Sequence, residues 1–535
     1  MTPPPAAASL PALVHDLALA SPDAPALVAG VQRRTFGELD DEARRAAAVL
    51  AGLGAGPDAP VALLAGNTVD WPVVALGAMR VGARVDAFNT WSRAWDLEHL
   101  LAASGCGVLV TVGRARSTDT LAELRSLLPE LWAAGPGEWH SERFPALHGV
   151  VVLGDPPADV PPGALRWDDL AAAAAPVAGG AIAAGADDVA WVLYTSGSTS
   201  RPKAVPLCQR DMLVNGFHIG ERMGLGADDR VWLGSPLFWS FGAANALPAT
   251  WTHGACLVVQ EHFTADDAAT LLATERCTAA YLLPTLVDAL AGVGDRVRAV
   301  TGLRTGVTIG RPEEVARAMT ELDVPELCNV YGSTEVYGNC CVTPHDAPAT
   351  VRTTSQGPPL PGVEVRAVDP DGRVLGPGEE GELQVRGRVM PGYLGAPEAT
   401  AAAMTADGWF RTGDRLQVRD DGSVQFGARL TDMIKTSGIN VAPAEVESYL
   451  AGHPGVAEVV VVGAPHPARG EVVIAFVTTT GAVDGESLRS YCKAGIAGYK
   501  VPWEVVVLPE LPRTVTGKLT RSALVELAAA RTVDP

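Results

Sequence analysis

The chain has 535 residues, which is more than one hydrophobic core accommodates, and this length predicts several domain-sized units. With 47% hydrophobic and 19% charged residues, its composition is that of a globular protein. The formal net charge of −20 excludes general binding to nucleic acid or to an anionic membrane, because the long-range field repels both. Any anionic ligand must therefore be bound by local donors.

The cysteines and the N-terminal stretch bear on the compartment. Eight cysteines are scattered along the chain, only Cys340 and Cys341 are adjacent, and no CxxC pair or Cys/His metal-binding spacing occurs. This pattern favours reduced thiols, so we expect a cytoplasmic protein. The stretch MTPPPAAASLPALVHDLALA has no basic region, and His15 and Asp16 interrupt its apolar run. We expect neither a signal peptide nor a membrane span.

The first half of the chain alternates predicted helices and strands. TFGELDDEARRAAAVLAGLG begins with a capping-box pattern, Thr35 with Glu38, which predicts a helix. An apolar strand from Val61 and a helix near residues 71–81 follow. Further apolar runs predict strands that begin at Gly107, Val150, Val189, Cys256 and Ala279. Because helical patterns separate most of them, we expect parallel sheets with crossover connections, and we interpret residues 154–187 as surface connections.

From about Pro361 the pattern changes. GVEVRAVDPDGRVLGPGEEGELQVRG has short β runs broken by Asp-Gly and Gly-Pro turns, which predicts antiparallel hairpins. After Arg429 the sequence predicts a smaller α/β unit, with a helix in APAEVESYLAGH, strands in GVAEVVVVG and EVVIAFVTT, and a helix from about Glu486. We therefore place a domain boundary near residue 430.

A hydroxyl-rich loop, YTSGSTSRPKAVPL, runs from Tyr194 to Leu207 after one of the predicted strands. Backbone N–H groups of such a turn form an anion-binding nest, the hydroxyls add donors, and Lys203 adds a positive charge. The GxxxxGK[ST] pattern of ordinary P-loop NTPases is absent, because no glycine precedes Lys203 and Ala204 follows it. The residues alone leave both a phosphate-binding loop and a polar surface turn open.

Three further stretches accompany this loop: NVYGSTE from Asn329, FRTGDRL from Phe410 and PRTVTGKLTR from Pro512. Together and in this order they resemble the adenylate-forming superfamily of acyl-CoA synthetases, nonribosomal-peptide adenylation domains and beetle luciferases. GARLTDMIKTSGINVAPAEVE, from Gly427, resembles the hinge segment of that family. The resemblance covers nearly the whole chain.

The resemblance implies an α/β fold of two domains. A large N-terminal domain, residues 1–429, would combine two doubly wound sheets in residues 1–360 with a small β-barrel in residues 361–429. A small, mobile α/β C-terminal domain, residues 430–535, would carry the catalytic lysine.

The implied chemistry is activation of a carboxylic acid by ATP. The acid attacks the α-phosphorus, pyrophosphate leaves, and a thiol then takes the acyl group from the acyl-adenylate and releases AMP. Because the first step brings an anion toward a polyanion, it needs fixed positive charge and hydrogen-bond donors. ATP, Mg²⁺ and CoA are the implied cofactors and co-substrates.

The resemblance assigns roles to individual residues. Lys518 matches the lysine that bridges the carboxylate and the α-phosphate, and Glu335 matches the magnesium ligand. Lys435 matches a lysine that serves the thioester step in plant coumarate ligases. Tyr331 would lie against the adenine and Asp414 would bind the ribose hydroxyls. The residues implied to bind ATP or AMP are Thr195, Ser196, Gly197, Ser198, Thr199, Lys203, Gly306, Thr308, Tyr331, Gly332, Ser333, Thr334, Asp414 and Arg429.

Some positions depart from the family pattern. Ser200 and Ala204 stand where the phosphate loop usually has glycine. Thr431 replaces the Asp or Lys that is usual at the hinge of the C-terminal domain. Trp239 stands where acyl-CoA synthetases usually have histidine beside the acyl pocket, and Trp503 replaces a common arginine.

The implied acyl pocket predicts the class of acid. Amino-acid-activating relatives have an aspartate at the position of Trp239, and a tryptophan offers no charge to pair with an ammonium group. We therefore expect a non-amino carboxylic acid that is apolar, aromatic, alicyclic or fatty. The implied pocket residues are Trp239, Phe241, Asn245, Tyr337 and Asn339.

The acceptor of the acyl group is predicted from the C-terminal region. IKTSGINVAP, which contains Gly438 of the implied CoA region, resembles CoA ligases more than peptide-synthetase modules. Only 17 residues follow Lys518, so we expect a separate acceptor molecule, CoA in the first place. Two alternatives stay open: loading of a free acyl carrier protein, and an inactive relative that binds adenylate or an acyl ligand as a sensor. The oligomeric state is open as well, a homodimer included.

Overall fold

The computed structural model describes residues 3–154, 160–177, 180–195, 201–300, 302–310, 312–429, 433–512 and 521–531. No helix in these ranges is long and apolar enough to span a bilayer. The α-helices are Leu10–Ala20, Phe36–Gly52, Asp70–Arg80, Ala94–Ser104, Thr120–Leu127, Trp167–Ala173, Gln209–Met223, Leu247–Trp251, Ala265–Thr274, Pro284–Ala291, Gly294–Val300, Pro312–Glu321, Ala349–Thr354, Pro397–Ala403, Pro443–Ala451, Gly485–Gly495 and Arg521–Ala530.

The largest sheet has eight strands. Its six central strands pair in parallel, and one antiparallel strand closes each end. Several central strands are buried along their whole length, as expected for a parallel sheet that is covered on both faces. In sheet order the strands are Cys341–Val342, Glu326–Tyr331, Thr305–Thr308, Ala279–Leu282, Arg230–Leu233, Cys256–Val259, Pro25–Ala29 and Gln32–Thr35.

A second sheet has seven strands. The hydroxyl-rich loop connects the two strands at one edge of this sheet. In sheet order they are Lys203–Cys208, Val189–Thr195, Val85–Ala87, Val61–Leu64, Val108–Val112, Gly149–Leu153 and Leu165–Arg166. The last strand and the helix Trp167–Ala173 fall within residues 154–187, so the prediction that this stretch only connects elements is wrong for them. Trp167 is buried, and its apolar surface explains why this part of the stretch packs.

Two smaller sheets follow along the chain. The first has four strands, of which the first three pair antiparallel, as the Asp-Gly and Gly-Pro turns predict. These strands are Glu364–Val368, Glu380–Arg386, Phe410–Val418 and Val424–Arg429. The second has five strands, which are Ile439–Val441, Ile434–Thr436, Gly470–Thr479, Val456–His466 and Glu504–Val507. A short hairpin of Arg114–Ala115 with Thr118–Asp119 stands apart from all four sheets.

The five-stranded sheet has a core on each face. Successive residues of a strand point to opposite faces, so Val461 and Val473 belong to one core, and Val462 and Ile474 to the other. The first core includes side chains of the helices Pro443–Ala451 and Gly485–Gly495, and the second includes side chains of the helix Arg521–Ala530. Continuous apolar runs such as EVVIAFVTT are therefore required here, because both faces are covered.

The chain divides into two compact units. The first unit comprises Met1–Thr90, Leu101–Tyr194 and Ala204–Ala428. The second comprises Trp91–Leu100, Thr195–Lys203 and Arg429–Pro535. No sequence pattern predicted the two short segments in the second unit, and the domain boundary near residue 430 stays a prediction.

Most predicted elements are confirmed. Thr35 and Glu38 form the predicted capping box at the start of the helix Phe36–Gly52. The strands predicted from Val61, Gly107, Val150, Val189, Cys256 and Ala279 are present within one residue of the predicted start. The helix predicted near residues 71–81 spans Asp70–Arg80.

Candidate active site

Two neighbouring parallel strands carry several of the predicted nucleotide-binding residues near their carboxyl ends. Thr305–Thr308 lies beside Glu326–Tyr331 in the eight-stranded sheet. Gly306 has a φ of +151°, and a Cβ atom there would lie 2.1 Å from the carbonyl oxygen of Ala280 in the next strand. Only glycine fits this position. Thr308, at the end of its strand, is buried.

Tyr331 ends the second of these strands and contacts Asp414 of another sheet. The phenol donates a hydrogen bond to Asp414 Oδ2 at 2.9 Å, although the two residues are 83 positions apart. Both are buried, with 4% and 7% of their surface exposed. Burial, together with the charge of Asp414, raises the pKa of Tyr331, so the phenol remains a donor. The fold thus brings together the residues predicted for the adenine and for the ribose.

A short 3₁₀ turn, Thr334–Val336, carries the predicted magnesium ligand. Glu335 is half-buried, and its Oε1 accepts a hydrogen bond from the Tyr393 hydroxyl at 2.9 Å. Ser333 Oγ, just before the turn, is buried and has no hydrogen-bond partner among the described residues. An orphaned hydroxyl beside a partly exposed carboxylate fits a site for phosphate and a hard cation.

Two glycines allow this turn to fold back on itself. A Cβ atom on Gly332 would lie 2.0 Å from the carbonyl oxygen of Gly338. Gly338 has a φ of +89°, and a Cβ atom there would lie 1.7 Å from Asn245 Nδ2. The nucleotide motif is therefore packed directly against Asn245, one of the predicted acyl-pocket residues.

Trp239 precedes a π-helix, Ser240–Ala246, that carries two further pocket candidates. π-helical turns occur frequently at functional sites. Phe241 packs edge-on against Tyr281, with ring centroids 5.0 Å apart. Trp239 and Phe241 are half-buried, whereas Asn245 is fully buried and its Nδ2 donates to the carbonyl of Ser240 at 2.7 Å.

The remaining pocket candidates, Tyr337 and Asn339, are buried. Asn215 Nδ2 donates to the backbone carbonyls of both, at 3.2 and 2.9 Å. Tyr337 has a φ of +60°, which is uncommon for a residue with a side chain. Its phenol oxygen accepts a hydrogen bond from the Cys208 N–H at 3.2 Å, and this contact helps to stabilise the strained turn.

The hydroxyl-rich loop is described only at its two ends. Thr195 ends the strand before it, and its Oγ1 is buried without a hydrogen-bond partner among the described residues. Lys203 begins the strand after it and is half-buried. Tyr194, one residue before the loop, donates a hydrogen bond to the buried Asp86 Oδ1 at 2.8 Å. The predicted residues Ser196, Gly197, Ser198 and Thr199, together with Ser200, lie outside the described residues.

The second unit contains the remaining predicted residues. Lys435 is exposed on the strand Ile434–Thr436, and its N–H donates to Glu471 Oε2 at 2.8 Å. Gly438, with a φ of +79°, shares with Ser437 the two-residue turn that follows this strand. Arg429 ends the strand that begins at Val424. The predicted hinge Thr431 and the predicted catalytic Lys518 lie outside the described residues.

Two family models match the chain. The model described as "AMP-binding enzyme" matches residues 15–394, and the model described as "AMP-binding enzyme C-terminal domain" matches residues 445–518. The chain belongs to the AMP-binding enzyme family. The predicted family is thereby confirmed.

Individual relatives agree with this assignment. The AMP-binding enzyme is 34% identical to "3-[(3aS,4S,7aS)-7a-methyl-1,5-dioxo-octahydro-1H-inden-4-yl]propanoyl:CoA ligase" of Mycobacterium tuberculosis, over 97% of this chain and 99% of that protein. It is 32% identical to "Feruloyl-CoA synthase" of an Amycolatopsis species, over 94% of this chain and 95% of that protein. The structure of amide bond synthetase McbA from Marinactinospora thermotolerans superposes with a TM-score of 0.82 at 26% identity, covering 97% of this chain and all of that one.

These comparisons also confirm the predicted fold class and the class of enzyme. The AMP-binding enzyme has the α/β fold of its structural neighbours, with a four-stranded sheet where the sequence predicts a small β-barrel, and with the predicted C-terminal domain. It is an acid–thiol ligase of the AMP-forming, acyl-CoA synthetase class.

The sequence reasoning missed two groups of polar residues in this AMP-binding enzyme. One is Tyr393, which contacts Glu335 from the MPGYLG stretch that carried no prediction. The other is a buried ion cluster in the second unit, where Lys500 Nζ lies 2.7 Å from Asp96 Oδ1 and 2.8 Å from Glu445 Oε2. Hydrophobic periodicity gives no signal for such contacts, because they join distant parts of the sequence.

Proposed function

We propose that this enzyme converts a non-amino carboxylic acid into its CoA thioester. ATP activates the acid to an acyl-adenylate with release of pyrophosphate, and the CoA thiol then displaces AMP. The acid is apolar, aromatic, alicyclic or fatty. The named relatives, whose names state acyl-CoA formation from an aromatic and from an alicyclic acid, support this reaction and this class of acid.

The observation that carries the proposal is the contact between Tyr331 and Asp414. An aromatic ring beside a carboxylate offers a flat surface for adenine and two acceptor oxygens for vicinal ribose hydroxyls. The Tyr331 hydrogen bond fixes the orientation of the Asp414 carboxylate before any ligand arrives. The exposed ring of Phe426 stacks on Tyr331, with centroids 6.4 Å apart, and extends the aromatic surface.

The residues around Glu335 fit a magnesium ion. Mg²⁺ bound with a nucleotide commonly uses one or two carboxylates and the substrate phosphates rather than a complete cage of protein ligands. Glu335 supplies one such carboxylate, half-buried and fixed at Oε1 by Tyr393. The ion, when bound, would neutralise charge on the phosphates.

In the adenylation step, a carboxylate oxygen of the acid bonds to the α-phosphorus, and the bond from that phosphorus to the pyrophosphate oxygen breaks. Lys518 would bridge the two reacting anions, and Thr334 would donate to the α-phosphate. Thr195 Oγ1, which has no partner among the described residues, and Lys203 would hold the outer phosphates. Each donor lowers the barrier only where charge develops in the transition state.

In the thioester step, the sulfur of CoA bonds to the acyl carbon, the thiol proton is lost, and AMP leaves with the electron pair of the broken C–O bond. Lys435 is exposed on its strand beside the turn that contains Gly438, where a cationic side chain can meet the incoming CoA. Lys435 would stabilise the negative charge that develops on the acyl oxygen.

The predicted pocket residues support exclusion of amino acids. None of Trp239, Phe241, Asn245, Tyr337 and Asn339 carries a negative charge. An ammonium group buried among them would lose its hydration without gaining a negative charge to pair with. Pyrophosphate release measured with matched pairs of acids, such as cinnamate against phenylalanine, should therefore favour the non-amino member by at least about 100-fold. Faster release with the amino acid of each pair would contradict this assignment.

The acceptor is tested separately from the acid. With an acid that supports pyrophosphate release, we expect thioester formation on free CoA and none above background on a phosphopantetheinylated carrier protein at equal concentration. Mass spectrometry of both products gives the answer directly. Thioester on the carrier protein alone would replace CoA ligation by carrier loading. ATP binding without activation of any acid in a broad panel would point to the sensor alternative.

A further inference from the structure

The segment Met390–Leu394 connects two of the elements that the proposed function assigns to the phosphates of ATP. At one end, the Met390 N–H donates to the carbonyl oxygen of Glu335 at 2.8 Å. At the other end, the Leu394 N–H donates to the carbonyl oxygen of Ala204, immediately after Lys203, at 2.9 Å. Five residues therefore link the predicted magnesium ligand to the strand that leaves the hydroxyl-rich loop.

The side chain of Tyr393 adds a third hydrogen bond to this connection. Its hydroxyl donates to Glu335 Oε1 at 2.9 Å, and its ring is buried, with 8% of the residue exposed. The backbone and the side chain of Glu335 are thus both bound by the same short segment. The backbone bond holds the turn that carries Glu335, and the phenol bond restricts rotation of its carboxylate.

The position of Tyr393 is itself fixed by its neighbours. Its N–H donates to Thr400 Oγ1 at 2.9 Å, and Thr400 lies in the helix Pro397–Ala403. Gly392, with a φ of +140°, brings the chain so close to Thr400 that a Cβ atom would lie 2.8 Å from its methyl carbon. The phenol is therefore already held in place before ATP binds.

We propose that Tyr393 is a positioning residue for the phosphate site: its hydroxyl holds the Glu335 carboxylate in the orientation that binds the magnesium ion of MgATP. The inference rests on the proposed function, which makes Glu335 the magnesium ligand. A carboxylate has about four lone-pair positions, so one hydrogen bond at Oε1 leaves positions for the ion. Residues that orient a metal ligand in this way typically change metal affinity or activity by about 10–100-fold when they are replaced.

The test measures ATP binding without turnover. Dissociation constants for ATP are determined by calorimetry with Mg²⁺ and with EDTA, in the absence of acid and CoA. For the unaltered enzyme we expect tighter binding with Mg²⁺. Tyr393→Phe should lower that gain by about 10-fold and leave binding in EDTA unchanged, because only the metal-dependent part of the affinity is affected.

The matched control is Tyr449→Phe. Tyr449 is also 8% exposed, and its hydroxyl donates to a backbone carbonyl, that of Tyr491, at 3.3 Å in the second unit. Both variants thus lose one buried tyrosine hydroxyl, but only one loses a contact to Glu335. If the ratio of the ATP dissociation constant in EDTA to that with Mg²⁺ is the same in the two variants, Tyr393 is a structural residue and the inference is wrong.

Glu335→Gln separates this inference from the proposed function. If Glu335→Gln abolishes the gain from Mg²⁺ and Tyr393→Phe does not change it, the inference fails and the proposed magnesium ligand stands. If neither substitution changes the gain, Glu335 is not the magnesium ligand and both fail. If Tyr393→Phe does not fold, Thr400→Val replaces it as the test, because it removes the acceptor of the Tyr393 N–H. Thr400→Val should also lower the gain in ATP affinity from Mg²⁺. An unchanged gain in that variant would overturn the inference.

Discussion

Replacing Lys518 with alanine should lower the rate of acyl-adenylate formation by about 100- to 1,000-fold, the usual cost of removing one preorganised donor to developing charge. In this reaction a carboxylate approaches a polyphosphate, and no uncharged side chain can offset the repulsion between them. The rate is measured by trapping the adenylate with hydroxylamine, using an acid that supports pyrophosphate release. Lys518 lies outside the described residues, so its role rests on the family motif alone.

Two other lysines make the result specific. Lys493 is exposed on the helix Gly485–Gly495, so Lys493→Ala should leave the rate unchanged. Lys435→Ala should leave hydroxylamine trapping largely intact while it slows transfer to CoA, because its predicted role belongs to the second step. An unchanged trapping rate in Lys518→Ala would remove the central residue of the proposed mechanism.

The elements of the fold were predictable wherever the sequence carries a period or a cap. The strand from Val61 and the capping box of Thr35 with Glu38 depend on residues within one segment, and both are confirmed. The π-helix Ser240–Ala246 was not predictable, because FWSFGAANALP has no local signal for an altered helical turn. The helix that begins at Trp167 was not predicted either, because the Ala, Gly and Pro content of its stretch favours connections.

In the candidate site, too, some residues were predictable from local motifs and others were not. The motifs around Tyr331 and Asp414 are recognised by their resemblance to the family. The structure adds the hydrogen bond between these two residues, which are 83 positions apart. Tyr393 belongs to none of the motifs that carry the resemblance, since a lone tyrosine after a glycine is ordinary. Its relevance arises only from the 2.9 Å contact with Glu335, which is a property of the tertiary structure.

The ion cluster of the second unit is the contact that the sequence revealed least. Asp96 and Lys500 are 404 positions apart, yet their side chains are each only 4% exposed and lie 2.7 Å from one another. Asp96 Oδ2 also accepts a hydrogen bond from the Ala497 N–H at 3.2 Å. The side chain of Glu445, which is fully buried, completes the cluster with a second negative charge. One ammonium group thus stabilises two buried carboxylates.

Lys500→Met should therefore destabilise the second unit by about 3–5 kcal/mol, because it leaves two buried carboxylates without their cation. The loss is read from hydrogen exchange of amides in the strand Gly470–Thr479, which should become faster by roughly 150- to 5,000-fold. Lys493→Met, at an exposed position of the same unit, is the matched control and should change exchange little.

The loss in Lys500→Met should also depend on pH. Burial already raises the pKa of Glu445, and the attraction of Lys500 opposes that rise. Without the lysine the folded-state pKa of Glu445 rises further above its unfolded value, so the folded state binds more protons than the unfolded state as pH falls. The destabilisation should accordingly be smaller at pH 5 than at pH 8, and Asp96→Asn with Glu445→Gln in the Lys500→Met background should recover part of it at both. Equal losses at the two pH values would mean that the charges contribute little here and that the lysine stabilises the unit through the packing of its aliphatic chain.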